Sequence, residues 1–415
     1  MKKKLKVICN PPITFVTNSK THYGHLFYHT IFDVSLRFRR KFLKENAYFP
    51  SRVYNLYGKP SEKFMDKNRL TLFQFRRYFR ELLAQDWKVR DINLSNKDIV
   101  VDQNRIVENK MKQLLKILWN KGKIIKKKDQ LYLNLDSIKY TDFKNKIEQI
   151  NIFPECYRKI ILNQLKIKKN ILRITRNRDY APSTGLFSKP TAPFFVVSNF
   201  WDAYFPKSKF ILVCTPNLVI KVALFRMQVH YLAYGKLGLE EIIVFPKLIH
   251  YSLDDNLIER LSESQICKDI LRLSFSNNFS LKKSKTRSVD ETCKFGLAFV
   301  NKLFSIMGRV NWLEKESNKL KLTGYINLMK KYKYKQVLNV LMNKMNLILD
   351  SKKEITKKTF LEILECSSPF VPHIYEKIKK SKDKVSSSKI LMEELKVLEV
   401  NILKNDKKHN FRRFF

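Results

Sequence analysis

Apolar residues recur along this chain with two different periods, and the change of period divides it. Leu5 to Val16 reads as a first strand, interrupted by Asn10-Pro11-Pro12. Leu26 to Leu43 has apolar residues at Leu26, Phe27, Ile31, Val34, Leu36 and Phe38, the spacing of a helix. Arg52 to Leu56 is a second strand with Gly58 after it, and Leu70 to Leu83 is a basic amphipathic helix. Ile106 to Asn120 is another helix, closed by Gly122 at a C-cap position. Ile124-Ile125 and Leu131-Tyr132-Leu133 form a short hairpin, and Phe194 to Val197 an apolar strand. Phe210 to Val213 and Ile242 to Phe245 are further strands, separated by a helix from Val219 to Gly235. Strands alternating with helices predict a parallel, doubly wound α/β sheet. From about Glu291 only helical periods remain: Cys293 to Ile306, Tyr325 to Leu349, Phe360 to Ile378 and Ile390 to Leu403.

Composition sharpens this picture. The 415 residues are 44% apolar, enough for two or three domains with real cores. Lys and Arg number 82 against 38 Asp and Glu, a net charge of +44. A surplus of that size speaks of partners rather than fold and favours a polyanion. A lysine-rich proteome produces the same surplus, because the lysines are spread along the chain. The six cysteines (Cys9, Cys156, Cys214, Cys267, Cys293, Cys366) are far apart, so no local zinc site is expected and reduced thiols in the cytoplasm are. No apolar run reaches about 18 residues, so no membrane span is expected. Met1-Lys2-Lys3-Lys4 leads straight into the first strand, unlike a secretory signal.

The candidate chemistry lies just after the first strand, in His22-Tyr23-Gly24-His25 at the head of a predicted helix. A helix N-terminus attracts phosphate, and glycine lets a ligand come close to the backbone. The two histidines can donate hydrogen bonds to phosphate oxygens. The same spacing also serves a metal pair or two surface residues.

The segment resembles the first signature of class I aminoacyl-tRNA synthetases, with Tyr23 in place of the usual Ile. The resemblance continues in order along the chain and is most like the methionyl branch. Ile174-Thr175-Arg176 resembles the Ile-Ser-Arg element, and Phe200-Trp201-Asp202-Ala203-Tyr204 the segment that shapes the amino-acid pocket. Asp269-Ile270-Leu271-Arg272 resembles the Asp-Ala-Leu-Arg helix, and Phe295-Gly296-Leu297 the first helix of the anticodon-binding bundle. Ser368-Pro369-Phe370-Val371-Pro372-His373-Ile374-Tyr375-Glu376 resembles the Pro-Phe-x-Pro-His signature of that bundle. The implied fold is a Rossmann-type catalytic domain over 1–290, with a short connective insertion near 126–151. An all-α anticodon-binding-like bundle over 291–380 and a basic tail over 381–415 follow. An insertion that small leaves no room for an editing domain.

The resemblance implies ATP, with Mg²⁺, as cofactor, and tRNA and an amino acid, methionine as first guess, as partners. It assigns ATP binding to Thr17, Asn18, His22, Gly24 and His25, with His22 and His25 catalytic. It assigns the amino-acid pocket to Trp201, Asp202 and Tyr204, where aromatic rings supply apolar area and the carboxylate can hold an ammonium group. A core Trp beside an N-capping Asp reads the same.

The chain also departs from the family. After Ile242 to Phe245 comes Pro246-Lys247-Leu248-Ile249-His250-Tyr251-Ser252-Leu253-Asp254-Asp255, with no Lys-Met-Ser-Lys-Ser signature. Lys282-Lys283-Ser284-Lys285 has that composition but lies beyond Asp269-Ile270-Leu271-Arg272. Loss of the signature is the preferred reading. Displacement would make Lys282, Lys283 and Lys285 phosphate-binding lysines. The implied function is a divergent methionyl-type tRNA ligase. Alternatives are a non-catalytic tRNA-binding paralogue and a synthetase-like enzyme recruited to a biosynthetic pathway.

Overall fold

The computed structural model describes residues 5–9, 13–14, 23–50, 52–55, 59–75, 77–78, 99–101, 105–166, 170–176, 192–245, 264–279, 289–312, 322–351, 353–381, 389 and 391–396. The chain divides into two compact units: residues 1–20, 39–85 and 92–247, and residues 21–38, 86–91 and 248–415.

The first unit holds the strands. Those of its main sheet are β1 (Lys6–Cys9), β3 (Ala47–Tyr48), β8 (Asn151–Phe153), β10 (Lys209–Cys214) and β11 (Glu241–Val244). They lie in the order β3-β1-β10-β11-β8, and every pairing is parallel. Winding reverses at β1, which places the ligand crevice of such a sheet outside the carboxyl ends of β1 and β10. β2 (Ile13–Thr14), β4 (Arg52–Asn55) and β5 (Ile99–Val101) form a second parallel sheet. Arg52 to Leu56, expected to be the second strand of the main sheet, therefore belongs elsewhere, and the two-residue β3 takes that place.

The predicted hairpin is present as β6 (Ile124–Lys127) and β7 (Gln130–Asn134), with Ile124 opposite Leu133 and the turn residue Lys128 at φ 51°. β9 (Ile171–Arg173) pairs antiparallel with β7. Thr175, just beyond it, locks the join: its Oγ1 accepts from Leu131 N at 2.8 Å and donates to Gln130 Oε1 at 3.0 Å.

Helices cover the sheet. They are α3 (Arg105–Asn120), α4 (Tyr140–Glu148), α5 (Cys156–Lys166), α6 (Pro193–Asn199), α7 (Trp201–Tyr204), α8 (Pro216–Leu218) and α9 (Phe225–Tyr234); α2 (Lys59–Lys67) precedes them in sequence. A π-helical segment, Val219–Leu224, joins α8 to α9. Phe194 to Val197, expected as a strand, lies instead in α6. Pro193 sits at the first helical position, where its missing N–H costs nothing. A short apolar run does not distinguish the two states. Gly122 and Gly235 close α3 and α9 in the left-handed conformation.

Among its described residues the second unit is helical apart from one parallel two-residue pair, β12 (Val310–Asn311) with β13 (Ile355–Thr356). Its helices are α1 (Tyr23–Lys41, up to Phe38), α10 (Gln265–Asn278), α11 (Val289–Met307), α12 (Thr323–Lys330), α13 (Tyr334–Asp350), α14 (Lys357–Ser367) and α15 (Pro372–Lys380). Tyr325 to Leu349 is two helices rather than one, broken where Tyr332 takes φ 55°. α1 packs its Phe27 ring edge-on to Phe275 of α10 at 5.3 Å. Asp269 of α10 is fully buried. Its carboxylate accepts from Arg272 Nη1 at 2.7 Å and from the backbone N–H of Ile374 at 2.8 Å. That second bond satisfies an orphan donor at the start of α15, whose Pro372 supplies the fixed φ of a first turn. Arg272 Nε reaches Asp33 of α1 at 3.1 Å, so two sequence signatures and α1 share one polar network.

Gly296 of α11 lies against α10. A Cβ there would press on the carbonyl of Ile270 and lie 2.5 Å from Ser274 Oγ. Gly324 of α12 has open space. Gly296→Ala is therefore expected to cost about 1–3 kcal/mol by overpacking. Gly324→Ala should be neutral or stabilising by up to about 1 kcal/mol. Urea unfolding followed by helical circular dichroism checks both, and an equal response of the two would remove the close-contact argument.

Candidate functional site

Three of the proposed site residues lie in one described segment. α6 ends at Asn199, Phe200 caps it, and α7 follows at once. This tight succession stacks rings: Phe200 to Trp201 at 4.5 Å, Phe200 to Tyr204 at 6.4 Å and Trp201 to Phe205 at 6.3 Å. Tyr48 of β3 reaches Phe205 at 5.4 Å. Trp201 is 1% exposed, and its indole N–H has no hydrogen-bond partner among the described residues. The same is true of Ser198 Oγ and Asn199 Oδ1 nearby. A buried polar atom left unmatched costs about 1–3 kcal/mol. Three within four residues mark a place where something other than stability shaped the chain.

Asp202 faces a different environment. Arg226 of α9 reaches Oδ1 through Nη2 at 2.9 Å and Oδ2 through Nη1 at 3.2 Å. His230, one turn further along α9, lies with Nε2 3.0 Å from Oδ2. Arg226 is 1% exposed. It also donates to Ser198 O at 2.8 Å and Gly238 O at 3.2 Å, and lies over the Phe210 ring at 4.7 Å. Gly238 is required on two counts. Its φ is +69°, and a Cβ would fall 2.5 Å from the His230 ring.

The charges follow from this geometry. Burial opposes an ionised Asp202, but Arg226 and His230 outweigh it and hold the carboxyl well below the usual range. Burial, helped by the Arg226 charge, pushes His230 down, against the pull of Asp202. A neutral His230 beside an ionised carboxylate must carry its proton on Nε2 and donate it. Both Asp202 oxygens are thus engaged. To hold an ammonium group the carboxylate would have to release Arg226 or His230.

Sequence reading missed Arg226 and His230. Their signal was present: Arg226 and His230 are polar and four apart in a largely apolar helical run, hence on one face. Of the remaining candidates, Gly24 and His25 are in the first turn of α1, which opens at Tyr23 and has no acidic residue in that turn. Thr17, Asn18, His22, Lys282, Lys283 and Lys285 lie outside the described residues, as do Asp254 and Asp255. Among the described residues no group of three or more His, Cys, Asp or Glu is arranged to hold a metal ion. Among them, too, no helix is long and apolar enough to cross a membrane.

No family model matches this sequence, and no curated protein matches it. Solved structures do match: 108 chains, among them the methionyl-tRNA synthetase of Mycobacterium tuberculosis bound by methionyl-adenylate. The superposition covers 91% of this chain and 94% of that one, with a TM-score of 0.66 and 10% identity. The chain has a class I synthetase-like fold. The expected architecture, a Rossmann-type parallel sheet with a helical domain, is the observed one, and at 10% identity the likeness is one of fold alone.

The buried cluster sets a pH dependence. The unfolded chain takes up a proton on His230 near pH 6.5, whereas the folded chain does so only at lower pH. Stability should therefore fall as pH drops below about 6.5, by up to about 1.4 kcal/mol per pH unit. The Asp202 contribution is present above about pH 4 and lost below it. In His230→Gln the first loss should vanish and the second remain. Urea midpoints of wild type and variant at pH 7.5, 6.5 and 5.5 test this, and parallel curves would refute a neutral buried His230.

Proposed function

We propose that this chain is a divergent methionyl-type synthetase-like protein that activates an amino acid with ATP and transfers it to tRNA. The observation that carries the reading is the start of α1 inside His22-Tyr23-Gly24-His25, with no acidic residue in its first turn. A helix of 19 residues presents its positive end there, beside a glycine. In this reading His22 and His25 donate to the phosphates of ATP, which brings Mg²⁺ with it, and Thr17 and Asn18 line the approach. The amino-acid carboxylate displaces pyrophosphate, and the activated aminoacyl group passes to the tRNA 3′ end. Trp201 and Tyr204 shape the pocket, and Asp202 acts through the orientation of Arg226 and His230. The +44 charge suits the tRNA polyanion.

A second reading, a tRNA-binding paralogue without adenylation, draws on two features. Both Asp202 oxygens are taken by protein groups. No Lys-x-Ser-Lys lies in Pro246 to Asn256, directly after β11 in the sequence. A lysine aimed at the leaving phosphates typically supplies several kcal/mol to the transition state.

ATP–pyrophosphate exchange separates the two. The ligase reading expects slow exchange that depends on one amino acid, methionine tried first, and falls about 10²-fold or more in His22→Ala or His25→Ala. Absence of exchange with all amino acids, alongside intact tRNA binding, selects the paralogue. Binding itself is checked by filter retention. Affinity for tRNA should exceed that for an equal mass of unrelated structured RNA and fall steeply with salt, by about 0.7–0.9 log units per log unit of salt for each phosphate neutralised. Equal affinities would reduce the interaction to non-specific charge.

A further inference from the structure

α9 presents two opposite faces. Arg226 and His230 are on the face that holds Asp202. Leu224 at the end of the π-helical segment, Phe225 and Gln228 project from the other, because residues two apart on a helix diverge by about 200°. That other face closes a cavity of about 820 Å³ within the first unit. The size is that of a small-molecule site, roughly 300–1,000 Å³. Its remaining walls come from Leu135, Asp136 and Ile138 after β7, and from α4, α5 and β9. Tyr231 ties α4 to α9 beside it, donating to Asp142 at 2.8 Å and meeting the Phe143 ring edge-on at 5.0 Å.

The cavity is graded from inside to outside. Phe143, Leu224 and Phe225 are buried and apolar. Among them lies the Gln228 side chain, 7% exposed. Its amide can offer two donors and an acceptor to a bound group. Among the described residues the rim is exposed and mostly basic, with Arg173, Arg176 and Lys221 beside Asp136. Arg173 is oriented by Nε, which donates to Thr175 O at 2.8 Å and to Gln130 Oε1 at 3.3 Å. Ile220, Lys221 and Leu224 belong to the π-helical segment, a local widening that is frequent at functional sites.

We infer that this cavity binds a small organic anion. Its apolar, ring-sized body would fill the floor, a hydrogen-bonding group would meet Gln228, and its negative charge would sit between Arg173, Arg176 and Lys221. The site is separate from the Asp202 cluster, and the inference does not depend on the synthetase reading.

The probe pair is 1-anilinonaphthalene-8-sulfonate and its uncharged counterpart N-phenyl-1-naphthylamine, titrated by fluorescence into the full chain. The sulfonate is expected to bind one site, at least tenfold tighter than the neutral amine. The rim variant Arg173→Gln/Arg176→Gln/Lys221→Gln should erase that advantage and leave the amine unchanged. A control of equal charge loss in the second unit, Lys330→Gln/Lys331→Gln/Lys335→Gln, should have no effect. Gln228→Leu should weaken both probes while leaving the thermal midpoint near that of wild type, because the substitution is close in volume. Equal binding of both probes to wild type, or equal loss in rim and control variants, overturns the proposal. So does unchanged affinity in Gln228→Leu.

Discussion

A guanidinium has been taken almost wholly out of water in the first unit, and the surroundings of Arg226 are arranged around that fact. Removing such a charge from solvent costs several kcal/mol unless every donor is matched. Here one face of the group meets the Phe210 ring, and its edges meet Asp202, Ser198 O and Gly238 O. These partners come from β10, α7, the end of α6 and the turn before β11. One side chain therefore fixes the register of α9 against the sheet and of the Trp201 segment against α9. Gly238 can carry no side chain because the His230 ring, also bound to Asp202, occupies that space.

The second unit solves a similar problem with a carboxylate. Asp269 is fully buried and is stabilised by Arg272 and by the Ile374 N–H at the start of α15. Arg272 in turn reaches Asp33, which also accepts from Arg37 at 2.8 Å. A charged group acting as a helix cap from another helix fixes angle as well as distance. The contact of Gly296 with α10 brings α10 and α11 closer than any side chain would permit.

The chain shares its fold with the methionyl-tRNA synthetase structure at only 10% identity. Packing constraints explain how: a parallel sheet needs only continuous apolar strands and covering helices, which many sequences supply. Polar chemistry is less forgiving. The unmatched atoms at Ser198, Asn199 and Trp201 stand out because nothing in the fold requires them.

The sequence by itself determined the long elements and the order of the two folds. β10, β11, α1, α3, α9 and α11 each carry enough apolar positions for a period to be read. The short elements were decided by tertiary structure. β3 has two residues and β8 three, too few to show alternation, and they form strands because the sheet edges offer unpaired backbone groups. Phe194 to Val197 is helical because it follows Pro193, and Phe195 packs edge-on against Phe225 of α9, a context that local propensity does not contain. The site divides in the same way. Trp201, Asp202 and Tyr204 were legible as a cluster because they are consecutive. The partnership of Asp202 with Arg226 and His230, and the cavity behind α9, join segments 24 or more residues apart, and only the folded chain brings them together.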